Sequence, residues 1–138
     1  MFLRRLESAR KDVEHAILLN PSDPVPHSEM LTIARGMQLE KGLVLEHLEH
    51  ARRLSPELWE PHVRTLFFLC EKWQGSHEEM FEFARSTSNS AVDGSGLHAL
   101  IACAHIERWL YFDAFEGNRA EADQYWQQPN VKNEIIDA

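Results

Sequence analysis

Long apolar runs are missing from this 138-residue sequence. No stretch approaches the roughly 20 residues that a bilayer-spanning helix requires, and Arg4, Arg5, Glu7, Arg10 and Lys11 interrupt the opening segment before a signal-peptide core can form. Cysteine is scarce: Cys70 and Cys103 both sit among apolar helical neighbours, which suits small hydrophobes in a reducing compartment rather than a disulfide framework. Positive charge is in deficit, with 14 Lys and Arg against 22 Asp and Glu and a net charge of -8. That balance repels phosphate backbones and anionic lipid, so nucleic acid and membrane are excluded as partners. Six Gly and six Pro are too few for a low-complexity chain. A compact chain of this length buries roughly two-thirds of its unfolded surface, so its core needs no metal or disulfide staple, and no cofactor is expected. The location that follows is the cytoplasm.

Catalytic signatures are absent too. There is no Gly-x-Ser-x-Gly and no glycine-rich phosphate loop; Gly94-Ser95-Gly96 is too short and lacks a preceding strand and a Lys. Neither Cys has the electropositive surroundings that would lower a thiol pKa, and Glu78-Glu79 fall in a helix's first turn, where the helix dipole accounts for them. The sequence therefore reads as a non-catalytic protein.

What is present is a repeat. Glu14-His15-Ala16, Leu19, Pro21, Pro26-His27 and Leu31 recur 35 residues later as Glu49-His50-Ala51, Leu54, Pro56, Pro61-His62 and Leu66. Eight of the eighteen aligned positions are identical, where chance would give about one. Ala and Leu three apart lie on one face near a helix end, and the small residue lets the next helix approach closely. Pro21 and Pro56 then stop that helix, whereas Pro26 and Pro61 fall in the opening turn of the next, where a missing N–H is tolerated.

Periodicity supplies the rest. Leu3, Leu6, Ala9, Val13, Ala16 and Ile17 make residues 2–19 an amphipathic helix. Further helices are expected over about 25–38, 42–54, 57–73, from Gly75-Ser76 onward, 97–115 and 119–127, with a last piece after Pro129. Ser76-x-x-Glu79 matches a capping box, and 86–96, rich in Ser and Gly, reads as the clearest loop. No segment alternates as a strand would. The fold class is all-α, with about seven helices in units near 1–21 (partial), 22–56, 57–90 and 95–128. The first and last units both read as cut from a longer stack, so self-association through uncapped terminal helices is a further expectation.

Antiparallel helix pairs at this period, closing on Ala-x-x-Leu-x-Pro (Ala16/Leu19/Pro21 and Ala51/Leu54/Pro56), resemble the tetratricopeptide repeat. The resemblance covers about residues 14–88 and implies a right-handed solenoid that binds a peptide or helix on its concave face. It departs from the family at Thr32, Phe67 and Val44, where smaller residues are usual. The segment from Trp73 to Arg85 is similar to a Trp-x-Gly-Ser-x-x-x-Met-x-x-Phe-Ala-Arg signature of an uncharacterised bacterial helical-repeat family, which implies a bacterial origin and an all-helical fold.

The contact residues expected from repeat equivalence are His27, Met30 and Arg35 on one first helix and His62, Arg64 and Thr65 on the next, with Tyr125 and Trp126 as a further partner-facing patch. His47 and His50, three apart on a helix, are a weak metal candidate without an identifiable third ligand. An alternative function comes from charge placement: residues 1–53 are balanced at eight acids and eight bases, while 54–138 carry fourteen acids and six bases. The alternative is an intracellular immunity or regulatory protein that neutralises a bacterial toxin through this acidic C-terminal surface.

Overall fold

The computed structural model describes residues 1–138 as eight α-helices and one 3₁₀ turn, without strands. The chain divides into two compact units, Met1–Phe68 and Leu69–Ala138. No helix is long and apolar enough to cross a membrane.

The first unit contains α1 (Phe2–Leu19), α2 (Pro24–Met37), α3 (Lys41–Leu54) and α4 (Trp59–Phe68). α1 closes where Asn20 N–H bonds the Ala16 carbonyl just ahead of Pro21. α2 opens on Asp23, whose carboxylate accepts from the Val25 N–H at 2.9 Å, with Pro24 in the first turn. Its far end is closed by Gln38 in the left-handed region (φ 55°), with the Gln38 and Leu39 N–H groups returning to the Arg35 and Ala34 carbonyls. Glycine usually fills that position, because a side chain there costs about 1–2 kcal/mol. Val44, Leu48 and Ala51 form the buried face of α3. α1 packs on α2, while α2, α3 and α4 pack on one another.

The second unit holds α5 (His77–Ser90), the 3₁₀ turn (Gly96–Ala99), α6 (Leu100–Ala114), α7 (Arg119–Tyr125) and α8 (Pro129–Ile136), with α5, α7 and α8 all packing on α6. The Trp73–Arg85 segment is shaped by packing within this unit. A Cβ on Gly75 would lie 2.0 Å from the Leu69 carbonyl oxygen, so only glycine fits. Ser76 caps α5 by accepting from the Glu79 N–H at 3.1 Å, and Met80 and Ala84 are fully buried. Phe112, Ala122, Tyr125 and Val131 form a second cluster, flanked by Trp109, Trp126 and Ile135.

Three expectations need revision. There are eight helices rather than about seven, because the piece after Pro129 is helical. The fourth helix is shorter than expected, spanning Trp59–Phe68, since the close approach of Gly75 to Leu69 turns the backbone there. Residues 86–90, expected as loop, continue α5, and only 91–95 are loop. The hydroxyls that usually favour a turn are occupied inside the helix: Ser90 Oγ donates to the Ser86 carbonyl at 2.9 Å, and Ser88 Oγ meets His98 Nδ1 at 2.9 Å.

Candidate functional site

Within the first unit, most of the expected contact residues lie inside the helix packing. His27, Met30, His62 and Thr65 are buried. Thr65 Oγ1 donates to the Pro61 carbonyl at 2.8 Å, which satisfies its hydroxyl within α4. His62 donates from Nδ1 to the Leu58 carbonyl (2.7 Å) and accepts at Nε2 from Arg52 Nε (3.0 Å), so its neutral tautomer is fixed. Its pKa is lowered, chiefly by burial. His27 Nδ1 lies 3.0 Å from His47 Nδ1, and its ring stacks on His50. Burial is the largest cause lowering both His27 and His47.

The two expected arginines are half-buried and already engaged. Arg64 bonds Ser28 Oγ at 3.0 Å and pairs with Glu29 at 2.8 Å, which ties α4 to α2, and the Arg35 guanidinium lies 5.7 Å from the Phe67 ring centre. The apolar surface of this unit lies elsewhere. α1 contributes no buried residue and exposes Phe2, Leu3, Leu18 (78%) and Leu19 (75%). The exposure of α1 reflects how few helices flank it, which its spacing pattern does not encode.

In the second unit an open cleft of about 560 Å³ is lined by α5 (Arg85, Ser88, Asn89), the 91–95 loop, His98, Ile101 and the end of α8. His98 donates from Nε2 to the Val92 carbonyl (3.1 Å) and so accepts the Ser88 hydroxyl at Nδ1, tying the loop to α5. Arg85 crosses the cleft to both carboxylate oxygens of Glu134. That guanidinium is the first cause holding the Glu134 carboxyl below its usual range. Behind it, His105 donates from Nε2 to Glu134 (3.0 Å) and accepts at Nδ1 from the Tyr125 hydroxyl (2.7 Å). Tyr125, expected as a partner-facing residue, is thus a core residue, and burial pushes its phenol up to about 12. Trp126 is half-buried beside it, with ring centres 5.4 Å apart. The Tyr125–His105–Glu134–Arg85 chain spans nearly fifty residues of sequence, which spacing rules do not reveal.

No group of three or more His, Cys, Asp or Glu side chains is arranged to hold a metal ion. His47 and His50 both lie against His27 but through different contacts: His47 Nδ1 meets His27 Nδ1 at 3.0 Å, whereas His50 stacks on the His27 ring and has its Nδ1 2.9 Å from Arg53. The two cysteines form no disulfide; Cys70 is buried with its thiol donating to Met80 Sδ at 3.4 Å, and burial raises the Cys103 pKa. No protein-family model matches the chain, and no curated protein or solved structure matches it significantly.

Proposed function

We propose that the protein is a non-catalytic interaction module, a tetratricopeptide-like stack of helix pairs from a bacterial cytoplasm that holds a peptide or helix of a protein partner. The observation that carries this reading is α1, an amphipathic helix with no buried residue that leaves Phe2, Leu3, Leu18 and Leu19 in solvent. These side chains form two exposed apolar pairs, one at each end of α1, of the kind that a protein contact covers. Amphipathic partner helices read such a surface through side chains at i, i+3, i+4 and i+7. The test is a peptide-display selection on the full chain, repeated with Leu18→Glu plus Leu19→Glu and with Arg35→Glu. Loss of the selected peptides in the double variant is expected; retention in both variants overturns the reading.

A second reading draws on the Leu69–Ala138 unit, which has twelve acids and five bases. Four of those bases, Lys72, Arg85, Arg108 and Arg119, are held in ion pairs. The surplus acids favour a basic partner, as a toxin-neutralising or regulatory protein would require. Binding that weakens steeply with salt and is lost when Glu78, Glu79 and Glu82 become Gln supports this reading; salt-insensitive binding rejects it.

A further inference from the structure

Four histidines of the Met1–Phe68 unit take part in three contacts that each need an imidazole lone pair, which full protonation would abolish. His27 Nδ1 and His47 Nδ1 lie 3.0 Å apart, so one must donate and the other accept, and the contact exists only while at least one ring is neutral. On its other side His27 stacks on His50, with ring centres 4.8 Å apart and planes 8° from parallel. His50 Nδ1 accepts from Arg53 Nη2 at 2.9 Å. His62, the counterpart of His27 one repeat later, accepts from Arg52. In the last two cases the opposing group is a guanidinium, which has no acceptor to offer an imidazolium.

We propose that the His27–His47 pair is a proton-sensitive clasp that holds α2 to α3 at neutral pH and releases them on acidification, with the Arg52–His62 contact acting in the same direction between α3 and α4. The inference is independent of what the protein binds. The charged groups facing the clasp come from each neighbouring helix. α1 supplies Glu14, engaged by Arg10, and α3 supplies Glu46, His50 and Arg53. α2 and α4 exchange Glu29 and Arg64, while Arg52, Glu49 and Glu57 surround His62. Glu14 and Glu46 favour protonation of His47, but burial and the neighbouring imidazoles oppose it.

Both clasp histidines titrate in the folded chain below the ordinary value of 6.5. The unfolded chain therefore takes up protons first as pH falls. The stabilisation is complete above about 6.5 and is lost as pH drops below that value toward the folded pKa values.

The experiment is amide hydrogen exchange of the full chain at pH 7.5 and 5.5, corrected for intrinsic exchange, in peptides covering residues 24–37 and 41–54. Protection there is expected to fall at least about fivefold on acidification, and His47→Gln, which keeps a hydrogen-bonding side chain without titrating in this range, is expected to remove most of that fall. Unchanged wild-type protection at pH 5.5 overturns the proposal without any variant. So does a fall that persists in His47→Gln, or one that disappears in His62→Gln alone.

Discussion

The two copies of the repeated segment, residues 14–31 and 49–66, share eight identical positions, yet they are buried differently. Their second halves match: Pro26 and Pro61, His27 and His62, and Leu31 and Leu66 are all buried. Their first halves diverge. Ala51 is completely covered while Ala16 is half-buried, and Leu19 is about twice as exposed as Leu54. The cause is the number of neighbours, since α3 packs against both α2 and α4, whereas α1 packs on α2. Identical residues thus set where a helix stops and the next begins. How much of each helix is covered depends on its place among the others.

The largest effect tests the matching half. Leu31→Ala and Leu66→Ala, at equivalent and fully buried positions, should each cost about 2–5 kcal/mol, measured by urea unfolding; a several-fold inequality would break the equivalence of the second helices. Next comes the divergent half. Ala51→Leu should cost about 1–3 kcal/mol by overpacking, whereas Ala16→Leu should stay within about 0.5 kcal/mol. Equal costs would show that α1 is as enclosed as α3. Smaller still, Gln38→Gly at the boundary between the copies should raise stability by about 1 kcal/mol, read as a shift in the urea midpoint at constant slope. The smallest effect belongs to the edge helix: Leu18→Glu or Leu19→Glu should change stability by less than about 0.5 kcal/mol each, even where binding is lost.

Much of the fold was legible. The ends of α1, α2 and α3 follow from the apolar spacing and the prolines to within a residue or so, and the Ser76 cap sits where the motif places it. The misreadings share a cause, namely partners that are distant in sequence. Ser88 reads as a loop residue until His98 supplies its bond, and the end of α4 depends on the approach of Gly75 to Leu69. The candidate sites were less legible. Repeat equivalence grouped His27 with His62 as contact residues, whereas both are buried and bonded within the unit, one to His47 and the other to Arg52 and the Leu58 carbonyl. Tyr125 and Trp126 read as a surface patch because they lie near the end of the chain, whereas His105 and Phe112 draw Tyr125 inward.

The lack of any buried residue in α1 also decides where the chain would first be cut. It is held by half-buried side chains such as Leu6, which lies where a Cβ on Gly36 would come within 2.8 Å. A helix held by so little apolar burial detaches at far lower free energy than the core helices do. Arg4, Arg5, Arg10 and Lys11 all lie on it, while Arg52 and Arg53 belong to the well-covered α3. Trypsin at low concentration should therefore trim the first helix and leave the third intact.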